Sequence, residues 1–223
     1  MSSDALISER SAQIRENLSR IGTFLVLAGC DAAGKSEQAQ RLDEALRRSG
    51  VSSRVTGEPW TSDEGWQIRK MLSRGGTLDP VELSLLFAAD RAAHNRALRD
   101  WMMRDHTVVI STRYIESSMV YQGLTLEGRG SEQWVTDINS RFLQPSAYLV
   151  LDVPVEEAEG RLRRRFGERL DAFEADRAFQ ARVCEAFLGL EILMPAQRIV
   201  HIDGVGTPDE VHERVVRAAL AFL

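Results

Sequence analysis

Apolar positions along this chain alternate between two rhythms. Short runs rich in β-branched and apolar residues predict strands over Thr23–Ala28, Ser52–Thr56, Thr107–Ser111, Ala147–Asp152 and Arg198–Ile202. Between them, apolar residues recur at helical spacing, predicting helices over Gln38–Arg48, Asp63–Ser73, Pro80–Arg104, Tyr114–Tyr121, Ser131–Phe142, Val155–Arg165, Phe173–Leu193 and Pro208–Phe222. Asp79 before Pro80 and Thr207 before Pro208 are helix-start signals, because each offers a side-chain oxygen to orphan N–H groups and proline tolerates the first turn. Strand–helix alternation of this kind predicts an α/β fold, a five-stranded parallel sheet with helices on both faces. Ligands in such sheets bind at the carboxyl ends of the strands. Residues 1–20, with Leu6, Ile7, Ile14 and Leu18 among charges, predict an amphipathic extension, packed on the domain or frayed, ahead of a single domain over 21–223.

Composition narrows the picture. A chain of 223 residues, 43% hydrophobic and 27% charged, buries a substantial single core and is neither disordered nor divided by a linker. The formal net charge of −5 argues against a general affinity for nucleic acid. No apolar run approaches the roughly twenty residues a membrane helix needs. Residues 1–20 lack both the uninterrupted apolar centre of a secretory signal and the acid-poor composition of a transit peptide. Only two cysteines, Cys30 and Cys184, are present, so no disulfide framework is expected and a cytoplasmic setting is the default.

Candidate chemistry begins directly after the first strand. Gly29-Cys30-Asp31-Ala32-Ala33-Gly34-Lys35-Ser36 has two glycines followed by Lys and Ser, between a strand and a helix. Glycines let the backbone curl so that successive N–H groups face phosphate oxygens, and the following helix adds the positive end of its dipole. Lys35 is placed to reach the terminal phosphates of a nucleotide, and the Ser36 hydroxyl to sit on Mg²⁺. A phosphate loop does not say what receives the phosphate.

Further segments do. Thr56-Gly57-Glu58-Pro59, Leu86-Phe87-Ala88-Ala89-Asp90-Arg91-Ala92-Ala93-His94, Arg113-Tyr114-Ile115-Glu116-Ser117-Ser118, Tyr121-Gln122-Gly123 and Leu151-Asp152-Val153-Pro154 follow the phosphate loop in order. With the arginine-rich stretch Arg161–Arg169, the chain resembles the thymidylate kinase family from about Phe24 onward. The resemblance implies a three-layer P-loop kinase fold, ATP as donor, Mg²⁺, small-molecule nucleotides as partners and a homodimer. It implies that Phe87 stacks on the acceptor base, Arg91 bonds a base carbonyl, and Ser118 and Gln122 approach the base. Tyr121 would guard the sugar against a 2′-hydroxyl, Asp31 would meet the 3′-hydroxyl, and Arg113 would serve phosphate. Core packing is the competing account of Phe87 and Tyr121, and local capping that of Asp31.

Residues 161–172 resemble the lid of such kinases. Phosphoryl transfer spreads negative charge over equatorial oxygens, and arginine forks answer it. Arg165 and Arg169 are the first candidates, then Arg161; the competing account is a solvated helix face. Ala32 and Ala33 leave the phosphate loop without an arginine, which fits a lid-supplied one.

Two positions depart from the family pattern. Thr112 stands where the family has an aspartate that organises the Mg²⁺ shell, and a neutral hydroxyl is a poorer ligand for a hard cation. Gly57 stands where the family has an arginine that helps hold the acceptor phosphate. Glu58 or Asp152 is a candidate substitute in the metal shell, and Arg69 a candidate substitute cation. The expected activity is transfer of the γ-phosphoryl group of ATP to dTMP. The alternatives are a deoxynucleoside kinase, suggested by Glu58-Pro59-Trp60, a kinase of another nucleoside monophosphate, or a nucleotide binder with little catalysis, suggested by Thr112.

Overall fold

The computed structural model describes residues 3–73, 79–126, 131–166 and 176–223, the side chains of 131, 132, 165 and 166 excepted. Five parallel strands form one sheet: β1 (Thr23–Ala28), β2 (Ser53–Gly57), β3 (Val108–Thr112), β4 (Ala147–Asp152) and β5 (Ile199–Asp203), in the order β2-β3-β1-β4-β5. Ten helices among the described residues surround it: α1 (Ser3–Leu18), α2 (Lys35–Arg48), α3 (Asp63–Ser73), α4 (Pro80–Met103), α5 (Ile115–Thr125), α6 (Ser131–Asn139), α7 (Val155–Phe166), α8 (Arg177–Leu188), α9 (Leu190–Leu193) and α10 (Pro208–Ala219). Strand β1 is central and buried at every position, as its unbroken apolar run requires. The chain leaves β1 toward one edge and leaves β3 toward the other, so a crevice opens beyond the carboxyl ends of these neighbours.

The expected caps form. Asp79 accepts from the N–H groups of Val81 and Glu82 at 2.8 and 3.0 Å. Thr207 and Glu210 exchange reciprocal bonds as a capping box. Three strands begin one residue later than their composition suggests, because pairing in register (Ser53 beside Val108, Gly57 beside Thr112) decides their ends. The expected helix Phe173–Leu193 is two, α8 and α9, divided at Gly189; residues 173–175 lie outside the described ones. The helix expected to reach Phe142 ends at Asn139, whose amide group turns back onto Val135 and also accepts from Arg91.

The N-terminal helix packs rather than frays. Ile7, Ile14 and Leu18 are all buried against the core that α2 and α10 share. Each such burial is worth roughly 1.5–3 kcal/mol, enough to hold a short helix that would be marginal alone. Arg15 donates to Ser49 O at 3.2 Å and Asn17 to Leu223 O at 2.8 Å, tying both ends of the chain to one face.

Candidate active site

Strand β1 runs directly into the phosphate loop. Gly29 has φ 131°, and a Cβ there would come within 2.8 Å of Leu151 O, so only glycine fits. Gly34, in the left-handed region, turns the chain into α2. Lys35 is the first residue of that helix. Its ammonium donates to Gly29 O at 2.8 Å and Cys30 O at 2.6 Å. Burial, aided by the nearby Arg113 charge, lowers its pKa to about 8. Ser36 beside it is exposed. The loop residues 31–36 line an open cleft of about 970 Å³ with Thr112, Arg113, Arg161 and Arg164.

Arg113 follows β3 and joins the loop from the other side of the crevice. It pairs with Asp31, its guanidinium lies 5.6 Å from the Tyr121 ring, and its φ is 68°, a conformation rare outside glycine. Tyr121 donates its hydroxyl to Asp31 Oδ2 at 2.8 Å, and Gln180 on α8 donates to the same oxygen at 3.2 Å. Burial alone would raise the Asp31 pKa. The Arg113 and Lys35 charges and the donated hydrogen bonds outweigh it and hold the carboxyl well below the usual range.

A second cavity, of about 170 Å³, opens behind Asp31 and Arg113 and shares Glu58 and Pro59 with the larger cleft. It is lined by Asp31, Glu58, Phe87, Arg91, Arg113, Ser118, Tyr121 and Gln122. Eight of the nine residues expected on the acceptor side therefore meet in one place; Arg69 lines only the larger cleft. Phe87 is half-buried and faces this cavity rather than the core. Tyr121 is buried yet still lines it, combining the two accounts that its sequence context offers.

The wall behind this cavity holds its charges tightly. Arg91, 1% exposed, pairs with Glu58 at 2.7 Å and donates to Tyr114 O and Ser118 Oγ, each at 3.0 Å, and to Asn139. Its guanidinium belongs to the scaffold as much as to any ligand, and only the buried Nε has no partner among the described residues. Glu58 pairs with Arg91 through Oε2 and hydrogen-bonds His94 Nδ1 through Oε1 at 3.1 Å, and Oε2 makes no hydrogen bond among the described residues. Glu58 also lines the larger cleft, where it is the carboxylate expected near the metal. Asp152, the other candidate, binds His201 Nδ1 with both oxygens, at 2.9 and 3.0 Å. Arg69 donates to Trp60 O at 2.9 Å and to Pro59 O, so its guanidinium is anchored on the loop after β2.

His94 closes the segment that begins at Leu86, and the sequence assigns it no role. It is fully buried, shares Glu58, bonds Thr56 Oγ1 at 2.8 Å and stacks on Trp60 at 5.3 Å. Its place one turn along α4 from Asp90 and Arg91 is the available signal, since Asp90 binds the same loop through Trp60 N and Ser62 Oγ. On the lid side, Arg161 reaches Ala33 O at 3.4 Å and Gly204 O at 3.0 Å. The Arg165 side chain and Arg169 lie outside the described residues, as does most of the expected lid.

Comparisons with known proteins agree with this geometry. The thymidylate kinase family model matches residues 27–215. A probable thymidylate kinase of Thermococcus gammatolerans is 35% identical over 209 residues, covering 88% of this chain and 95% of its own. The thymidylate kinase of Cereibacter sphaeroides is 37% identical over 212 residues, covering 91% and 96%. Among solved structures, the thymidylate kinase of Candida albicans superposes with a TM-score of 0.74 at 25% identity, over 90% of this chain and 92% of that one. With the phosphate loop, the cleft and the acceptor cavity arranged as described, the chain belongs to the thymidylate kinase family.

Proposed function

We propose that this kinase transfers the γ-phosphoryl group of ATP to dTMP, giving dTDP and ADP, as a cytoplasmic homodimer. One observation carries the reading: the small cavity lined by Phe87, Arg91, Ser118, Tyr121 and Gln122 opens onto the phosphate-loop cleft at Asp31 and Arg113. A base stacked on Phe87 places its sugar against Asp31 and Tyr121 and its phosphate toward Arg113. The donor's phosphates lie in the loop, where Lys35 exchanges two carbonyl oxygens for phosphate oxygens. Arg161, Arg165 and Arg169 answer the charge that develops during transfer.

The donor set in the cleft suits Mg²⁺. Ser36 is exposed there and Thr112 lines the same wall, offering neutral hydroxyls to an ion that keeps several waters and takes its charge from substrate phosphates. When bound, Mg²⁺ supplies charge neutralisation between the donor's phosphates.

One observation favours a second acceptor class. A Cβ at Gly57 would lie 2.4 Å from Thr112 Oγ1 and 2.7 Å from Thr112 O, so no arginine fits there without moving β3. An acceptor lacking a phosphate, a deoxynucleoside, has no need of that cation. A panel of thymidine, dTMP and other nucleoside monophosphates with ATP and Mg²⁺ decides. We expect dTMP to turn over fastest and Lys35→Ala to lose at least about a hundredfold in turnover with an unchanged fold. Preference for thymidine over dTMP would overturn the dTMP assignment, and absence of turnover with every acceptor would leave a nucleotide binder.

A further inference from the structure

One side of helix α5 forms a wall of the acceptor cavity. Tyr114 at its cap, then Ser117, Ser118, Tyr121 and Gln122, recur at helical spacing and all line that cavity. A serine in a helix has only a methylene and a hydroxyl to show a ligand, so the two adjacent serines bring their hydroxyls to the wall. Each hydroxyl already has one protein partner, and the partners are of opposite kind. Arg91 donates to Ser118 Oγ at 3.0 Å. Ser117 Oγ donates to Glu116 Oε1, also at 3.0 Å.

These partners fix the polarity of each hydroxyl. A guanidinium has donors only, so Ser118 accepts from Arg91 and keeps its own proton to give. Glu116 is fully buried, and its Oε1 also takes the Tyr114 N–H, at 3.2 Å. That oxygen therefore acts as an acceptor, and the Ser117 proton is directed at it. Ser117 keeps only lone pairs for a ligand. Turning its proton away would strip a donor from a buried carboxyl group whose Oε2 already makes no hydrogen bond among the described residues. Gln122, on the same wall, ends in an amide that offers donor and acceptor alike, so it does not discriminate by polarity.

We propose that Ser117 and Ser118 are specificity-determining residues that read the acceptor base as a fixed pair, with Glu116 as the positioning residue behind Ser117. Ser118 gives its proton to a ring carbonyl, and Ser117 accepts the neighbouring ring N–H. The inference rests on the reading of this cavity as the acceptor site. Thymine and uracil carry a carbonyl beside a protonated N3 and so match the pair. Cytosine has no proton on N3, so the lone pairs of Ser117 face the lone pair of N3 and both buried groups lose a partner. Selection of this kind comes from hydroxyl polarity and acts between bases that stack equally well on Phe87.

The test is calorimetric binding of dTMP, dUMP, dCMP and N3-methyl-dTMP to the full chain, which reads the base without turnover. Wild type should bind dTMP and dUMP at least about tenfold more tightly than dCMP, the scale of one buried polar group left unpaired. Ser117→Ala should lower the dTMP-to-dCMP affinity ratio by roughly fivefold to tenfold, chiefly by weakening dTMP. Methylation at N3 should cost wild type much more than it costs Ser117→Ala. Glu116→Ala should lower the ratio as well, by freeing the Ser117 proton. Glu116→Gln should restore most of it, because its amide oxygen can take the place of Oε1. Equal ratios in wild type, Ser117→Ala and Glu116→Ala overturn the proposal. A parallel loss of dTMP and dCMP affinity overturns it too, since it marks these residues as support for α5 alone. Absence of binding by all four nucleotides overturns the acceptor reading itself, whereas bound dTMP with unmoved ratios overturns only the serine pair.

Discussion

Arg113 and Arg91 border the same small cavity and each pairs with a buried carboxylate, yet they do different work. Arg113 is about a third exposed, stands between two cavities, and its side-chain pairing is with Asp31. Arg91 is enclosed, with Glu58, Ser118, Asn139 and the Tyr114 carbonyl around its guanidinium. An arginine at a rim can exchange a carboxylate for a phosphate without emptying a buried site. An arginine inside a wall cannot, because its departure strands Glu58 in a medium that penalises an unpaired charge. Ion pairing alone therefore says little about role; exposure and the number of other partners decide it.

That contrast breaks most directly by substitution. Arg91→Ala should destabilise the protein by about 3–5 kcal/mol, the cost of breaking a buried pair on one side. For a chain of this size the melting temperature should fall by roughly 6–20 °C. Arg113→Ala should melt much closer to wild type, since Tyr121 and Gln180 still hold Asp31, while its turnover falls by at least about a hundredfold. Calorimetry and steady-state kinetics on both variants check this, and a larger melting shift for Arg113→Ala would invert the comparison.

The third face of the cavity sharpens it. Phe87 is half-buried and contributes a ring rather than a charge. Phe87→Ala should raise KM for dTMP by roughly fivefold to a hundredfold, matching about 1–3 kcal/mol of base stacking, and change KM for ATP much less. An equal rise in both would show that Phe87 supports the wall, as Arg91 does, and does not touch the acceptor.

Most of the frame was legible in the sequence because it rests on local chemistry. Apolar runs give strands, and Asp79-Pro80 and Thr207-Pro208 give helix starts within a few residues of the bonds that make them. The phosphate loop is local too, so its glycines could be read singly. What could not be read depends on distant partners. Glu58 reads as an unpartnered carboxylate until the fold brings Arg91 and His94, 36 residues on, beside it. Asp152 looks like a metal ligand or a turn former until β5 brings His201 beside it. Helix α8 was expected to be longer because Gly189 leaves the apolar rhythm on both sides undisturbed.

Gly57 and Thr112, the two departures from the family pattern, illustrate the same point and carry the smallest predicted effect. They are separate in sequence but directly paired in register between β2 and β3. A Cβ at 57 would meet both the Thr112 hydroxyl and the Thr112 carbonyl oxygen, so the two positions are in direct contact. Of the two carboxylates expected as substitutes for the missing acid, Glu58 lines the cleft beside Arg91 and His94, and Asp152 binds His201. In the proposed reaction Thr112 offers Mg²⁺ only a neutral hydroxyl on the cleft wall. Thr112→Asp is close to isosteric, needs no Cβ at 57, and adds one negative charge to the cleft that Ser36 also lines. It should lower the Mg²⁺ concentration for half-maximal turnover by a few-fold, the scale of a partly solvated charge interaction worth up to about 1 kcal/mol. Magnesium titrations of turnover in wild type and Thr112→Asp measure it. An unchanged or higher requirement would mean that the added carboxylate turns to Arg113, as Asp31 already does, and that the wall at Thr112 takes no part in holding the ion.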